Sequence, residues 1–209
     1  MQKHAVLSGL LALSVLAVVP AMAADTGVLS DSERAFLIEQ MEMSKKAFLS
    51  SISGLSEAQW KFKPAPAVWS VQECAEHIIL AESFIFAGAQ RVLQTPAVPR
   101  PERSNLEFDH QLAMGVQDRS HKATAPEPID PAGRAGALTP ADAAKAFTEK
   151  RDQNEEYVKT TSDELRTHVG PGPVGPMDAY QFLVLMATHT ARHTAQIKEV
   201  QANANYPAK

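Results

Sequence analysis

The sequence predicts an all-α protein, a four-helix bundle with a long crossover between its second and third long helices. Three observations carry that reading. Apolar residues recur at helical spacing through four long stretches, near 31–53, 70–93, 139–165 and 177–203. Nowhere does a period-two alternation persist as a strand requires, and no segment repeats another. Residues 95–138, between the second and third stretches, hold Pro96, Pro99, Pro101, Pro126, Pro128 and Pro131 and read as one long connection. Connections of that length cross a bundle from end to end or carry function.

The first helix runs from about Asp31 to Ser53. Ser30 and Glu33 form a capping box, in which two side chains satisfy amides that no helical carbonyl can reach. Leu37, Met41, Ser44, Phe48 and Ile52 fall on one face, and Gly54 stops the helix. The connector to residue 69 holds Ser56-Glu57-Ala58-Gln59, enough for one helical turn, followed by Pro64 and Pro66. The second helix opens on Ser70, with Glu73 three residues on as a second capping box, and runs to about Leu93. Its apolar stripe is Val71, Cys74, Ile78, Ala81, Ile85 and Val92, with His77 at the edge on the side of Phe84 and Gly88. A helical piece at about 103–121 lies within the crossover. Thr139-Pro140 opens the third helix, with proline suited to the first turn, and the helix ends near Leu165. Residues 169–176, rich in Gly and Pro, read as a loop. The fourth helix, from about Met177 to Asn203, turns Phe182, Leu185, Met186, His189, His193, Gln196 and Val200 inward. Short connections make the first and second helices, and the third and fourth, antiparallel neighbours.

Residues 1–23 read as a secretory signal peptide: a basic start at Lys3 and His4, an apolar stretch Ala5–Val19, then Pro20 and Ala21-Met22-Ala23 before a cleavage point at Ala24. The apolar stretch is shorter than the roughly 20 residues a spanning helix needs. No later segment is long and apolar enough to span, so no stable membrane insertion is expected after cleavage. Residues 24–209 have the length of one domain, and the expected location is the periplasm. Loss of Lys3 takes the net charge from −4 to −5. A mildly acidic chain without a Lys/Arg cluster argues against nucleic acid as a partner. The single cysteine, Cys74, excludes an internal disulfide and stands as a buried thiol, an intermolecular partner or a ligand.

The chemistry lies in the histidines. His189 and His193 are four residues apart on the inward face of the last helix, with Cβ atoms roughly 6 Å apart. That separation lets two ring nitrogens converge on one ion at about 2.0–2.1 Å each. Two such ligands leave a site incomplete, and His77 can supply the third from the second helix. The alternative is that all three are hydrogen-bonded core or surface histidines. His4 leaves with the signal peptide, and His110, His121 and His168 lie in or beside loops among polar neighbours and read as solvent-exposed. Glu73, one turn before His77, serves either as a helix cap or as acceptor for the nitrogen of His77 that faces away from a metal. Gln196 is placed to orient a small ligand or to be a satisfied core amide. Cys74 is placed to pack or to approach the site. Trp60, Phe62 and Trp69 read as core beneath the first connection, and nothing demands a pocket role for Tyr180. The chain has no Gly-rich phosphate loop, no Gly-x-Ser-x-Gly and no His-Glu-x-x-His.

Taken together, these residues resemble the DinB-like (DinB/YfiT) superfamily, whose members are read as metalloenzymes. The resemblance runs from about Glu33 to Val200. It rests on Gly54-Leu55-Ser56 through Trp60 to Trp69-Ser70-Val71, on Glu76-His77-Ile78, and on His189-Thr190-Ala191-Arg192-His193-Thr194-Ala195-Gln196-Ile197. It implies a four-helix bundle with a long crossover and a divalent metal ion, zinc or nickel, held by His77, His189 and His193. It also implies a homodimer. Some relatives transfer or isomerise substrates with a low-molecular-weight thiol, a cytoplasmic chemistry at odds with export. The segment 95–138 departs most from the family pattern and is expected to shape the pocket.

Three readings of function follow. A three-histidine centre with an open position suits a metal-dependent hydrolase or thiol-dependent transferase acting on a small-molecule substrate, with no general base legible. The same histidines in a closed site, with Cys74 as fourth ligand, suit a non-catalytic metal-binding or stress-related protein. A metal-free bundle would use its surface for a partner.

Overall fold

Helix starts in this molecule are set by side chains. α1 (Asp31–Ile52), α2 (Glu57–Lys61), α3 (Val71–Val92), α5 (Pro140–Thr160) and α6 (Ala179–Gln201) all begin on a complete capping box. The pairs are Ser30 with Glu33, Ser56 with Gln59, Ser70 with Glu73, Thr139 with Asp142 and Asp178 with Gln181. Each satisfies two amides that would otherwise be orphaned. α4 (Leu106–Gln117) uses a simpler cap, Asn105 accepting from the Phe108 amide. The computed structural model describes residues 26–131 and 138–209, so the signal-peptide reading of 1–23 lies outside the described residues. The protein is mostly helical, with one small sheet. Among the described residues no helix is long and apolar enough to cross a membrane.

The crossover helix expected at about 103–121 is shorter, at Leu106–Gln117, and the end of α5 and the segment after it differ from expectation. α5 stops at Thr160, short of Leu165. There the Asp163 amide donates to Thr161 Oγ1 and the Asp163 carboxylate accepts from Tyr157, local bonds that compete with a further helical turn. The Gly/Pro segment is not a plain loop. β1 (Val169–Gly172) and β2 (Gly175–Asp178) form an antiparallel hairpin with Val169 opposite Asp178 and Pro171 opposite Pro176. A two-stranded ribbon has free edges on both sides, where prolines lacking an N–H are tolerated.

The larger correction concerns neighbours. α1 packs on α5 and α6, and α3 packs on the same two. The sequence-adjacent pairs, α1 with α3 and α5 with α6, barely touch and lie across the diagonal of this ring. Helices 8–10 Å apart give a diagonal of roughly 13 Å. The connections 53–70 and 161–178, which carry α2 and the hairpin, are long enough to span it. α6 is the central element. Over its first half it is buried on every side, because α4 from the crossover covers the face that α1 and α3 leave open. At Gly88 of α3 an added Cβ would lie 3.1 Å from the Phe182 ring, so the missing side chain lets α3 approach α6 closely.

The apolar interior falls into two clusters. One contains Leu37, Met41, Ile85, Leu112, Leu183 and Met186, and the other Phe48, Trp60, Ile78, Phe147, Ile197 and Val200. A buried polar layer separates them. Arg151 of α5 donates from Nε and Nη2 to the two carboxylate oxygens of Glu82 of α3 at 2.7 and 2.8 Å. It also donates to Ser44 Oγ of α1 at 2.9 Å and to Thr190 Oγ1 of α6 at 3.0 Å. One guanidinium thus ties all four long helices at one level.

Candidate metal centre

His77 is brought inward by the cap and stripe of α3. Val71, Cys74, Ile78 and Ala81 are buried on either side of it, and His77 itself is 2 % exposed. On α6 the second half opens one face towards solvent, and His189, Arg192 and Gln196 lie half-buried along it, with His193 almost fully covered. Because α3 and α6 pack directly, the three histidines meet. One ring nitrogen from each lies within 4.8 Å of the other two. Ring centroids are 4.9 Å apart for His77 and His189, and 4.4 Å for both pairs involving His193.

Hydrogen bonds decide which nitrogens face inward. His77 Nδ1 donates to the Ile129 carbonyl at 2.7 Å, an oxygen that can only accept. Its Nε2 therefore carries a lone pair. His193 Nδ1 donates to Gln196 Oε1 at 2.9 Å, which leaves its Nε2 the same way. His77 Nε2 and His189 Nε2 are 3.2 Å apart. Tetrahedral nitrogen ligands at about 2.0–2.1 Å from an ion stand about 3.3–3.4 Å apart, so this pair is spaced to share one small divalent cation, with a nitrogen of His193 within 4.8 Å of both.

Electrostatics favour the form that coordinates. Burial lowers the His77 pKa against the opposing pull of the Ile129 carbonyl and Asp130. Burial, then His77 and Arg192, push His189 down to about 3. Burial, then His189 and His77, push His193 down to about 2. All three rings are neutral at pH 7, and neutral imidazole is the ligand form.

The surroundings are built largely by the crossover. Beyond the 3-10 turn Glu127–Ile129, which carries the carbonyl that holds His77, Arg192 reaches from α6 to carbonyls of Val116, Asp118 and His121. Arg119 reaches back to Gln196 and Glu199 of α6. Trp69 forms a wall, its ring 4.9 Å from His77 and 5.9 Å from His193, in place of the purely core role expected for it.

Other candidates sit elsewhere. Glu73 accepts from the Ser70 amide and Lys63 and is a cap; the acceptor for His77 is a backbone oxygen. Cys74 is fully buried in the apolar cluster, its thiol pKa pushed far up by burial, and it is not part of the three-residue group. His110 and His121 are exposed, whereas His168 is half-buried with Nδ1 on the Thr95 carbonyl. Trp60 is core, with Nε1 donating to the Leu138 carbonyl. Tyr180 is fully buried and donates to the Glu33 carbonyl. The Ile129 carbonyl, Arg119 and Arg192 escaped the sequence reading. A backbone oxygen has no side-chain signature, and both arginines act across more than seventy residues of chain.

No curated protein and no solved structure matches the chain. A family model described as the DinB superfamily matches residues 40–197, a span that contains all three histidines.

Proposed function

The chain belongs to the DinB superfamily, and we propose that it is an exported, periplasmic metal-dependent enzyme in which His77, His189 and His193 hold a divalent ion, zinc or nickel. In this proposal the ring of long helices is a four-helix bundle with a long crossover, and residues 1–23 are a removed signal peptide. One observation carries the metal assignment: three imidazoles converge, with Nδ1 of His77 and of His193 bonded outward to oxygen acceptors so that Nε2 of each is left for the cluster. A divalent ion on three neutral nitrogens supplies Lewis acidity with a coordination position left for substrate.

The protein's own residues supply the rest. The Ile129 carbonyl and Gln196 fix ring orientation, and Trp69 shields one side of the cluster from water. Among the described residues no carboxylate or thiol joins the three histidines, which favours an open, reactive centre over a closed structural one with four protein ligands. Hydrolysis, or transfer to a small thiol, of a small-molecule substrate is the chemistry such a centre suits.

The test is elemental analysis of residues 24–209, purified without a histidine tag, beside His193→Ala. Near one metal per chain, lost in the variant, supports the reading and directs screening to hydrolytic and thiol-dependent reactions. An empty protein that takes up no zinc, nickel, manganese or iron on titration sinks it.

A further inference from the structure

His193 is held by a chain of contacts that leaves its helix and returns to it. Its Nδ1 lies 2.9 Å from Gln196 Oε1, one turn on. The same oxygen lies 3.4 Å from Nη1 of Arg119, which comes from the crossover just past the end of α4. Glu199 clamps the far side of that guanidinium, with Nε to Oε1 at 2.6 Å and Nη2 to Oε2 at 2.7 Å. Arg192 ties down the same stretch of chain through its bonds to the Val116, Asp118 and His121 carbonyls.

A glutamine amide can present either of its ends. With oxygen towards His193, the ring carries its proton on Nδ1 and keeps the Nε2 lone pair that coordination needs. With nitrogen towards His193, Nδ1 must accept, the proton moves to Nε2, and coordination there is blocked. Gln196 and His193 alone satisfy each other equally well in both arrangements. Arg119 breaks the tie, because a guanidinium has five donors and no acceptor. Only the amide oxygen can face it; the reversed amide sets N–H against N–H.

We propose that Arg119 is a positioning residue for the metal centre: it holds the Gln196 carbonyl towards His193 and thereby selects the His193 tautomer that binds a metal. This rests on the reading that the three histidines hold a metal, and it assigns the crossover a part in preparing the site as well as in covering it. Arg119 touches neither the ion nor the substrate and acts through Gln196.

The experiment is a double-mutant cycle of Arg119→Ala with Gln196→Glu, read in two ways. The first readout is the 15N signature of the His193 ring in metal-free protein. The second is zinc affinity by competition with a chromogenic chelator. Wild-type protein is expected to show a single Nδ1–H tautomer, and R119A a mixture of tautomers with zinc bound about tenfold more weakly, as for loss of other outer partners of metal-bound histidine. A carboxylate has no donor end to misplace, so in the Q196E background the same R119A change is expected to cost about threefold or less. A wild-type tautomer in R119A overturns the proposal. So does an equal cost in both backgrounds, which would mark a purely structural role. Arg119→Met, which keeps the stem, carries the test if alanine loosens the segment. If wild-type protein takes up no metal, the functional reading fails separately, and the tautomer signal alone decides on Arg119.

Discussion

The protein buries two kinds of polar cluster along α6, and they differ in what is left over. Near the N-terminus of α6, Arg166 is fully enclosed and donates to Glu33 at 2.8 Å, to Asp178 at 3.1 Å and to Asp109. The Tyr180 ring lies 3.8 Å beneath it, and Arg100 adds a second cation to Glu33. Every arm of the fork has a carboxylate. Further along α6, roughly 15–20 Å away at 1.5 Å per residue, His77 and His193 spend their ring N–H groups on outer acceptors, and the inner Nε2 of His77 faces another imidazole, His189 Nε2 at 3.2 Å. Their inner nitrogens converge with lone pairs facing each other. Burial of polar groups therefore does not by itself separate a structural cluster from a site. The direction of unused lone pairs does, because converging acceptors call for a proton or a cation, whereas a saturated fork calls for nothing.

The largest expected effect strikes the saturated cluster. Arg166→Met keeps volume but takes the cation from buried Asp109 and Asp178 and one of two cations from Glu33, and breaking a buried charge cluster costs about 3–5 kcal/mol. Urea unfolding of metal-free protein measures it. Metal content per folded chain is expected to stay unchanged; a folded R166M that loses its metal would break the separation drawn between the two regions.

The next effect belongs to the open cluster. Metal at a hundredfold excess over its dissociation constant should stabilise the wild-type protein by about 2.7 kcal/mol. His189→Ala is expected to abolish that gain while changing the metal-free stability by about 1 kcal/mol or less. Thermal melts with and without zinc report both quantities. A metal-free H189A that collapses would show the histidines to be core groups like Arg166.

The same contrast explains what the sequence makes legible. Helix starts and inward faces are local, so Ser30, Ser70, Leu37, Phe48 and Ile78 announce themselves within a few residues, and the structure places them as the pattern requires. His77, His189 and His193 are legible because imidazole on an apolar face is conspicuous, and they do meet. Which helices are neighbours is not legible, since sequence proximity favours α1 with α3 while burial favours α6 in the middle. The hairpin hides because Gly and Pro give no alternating pattern. Arg166 and Arg119 hide for another reason: each looks like a surface charge until partners far along the chain surround it.

A smaller effect is expected where the two kinds of order meet, at the start of α3. Ser70→Ala removes a cap worth about 1 kcal/mol. The loss frays the first turn, whereas His77 stands two turns in and is pinned from outside by the Ile129 carbonyl. Stability measured by urea should fall and zinc affinity should stay within about twofold of wild type, an effect small beside those of metal-bound histidine's outer partners.

The smallest effect sharpens the comparison most. Glu73 lies one turn before His77, a placement that suits an acceptor for its ring, yet its carboxylate is engaged by Lys63 and the Ser70 amide. Burial alone would raise the Glu73 pKa, but Lys63 and Ser70 outweigh it and hold the group below its ordinary value of 4.5. The unfolded chain therefore takes up this proton first as pH falls. The Glu73 contribution is complete above the unfolded value and is lost as pH falls through the lower folded one. Glu73→Gln should then cost about 0.5 kcal/mol at neutral pH, the scale of an ion pair at the protein surface, with the difference from wild type shrinking in acid. Zinc affinity should not move, because His77 takes its orientation from a backbone oxygen that no side-chain substitution removes. A tenfold loss of affinity in E73Q would instead place a charged residue behind His77, and the metal centre would depend on an ion pair much as the Arg166 cluster does.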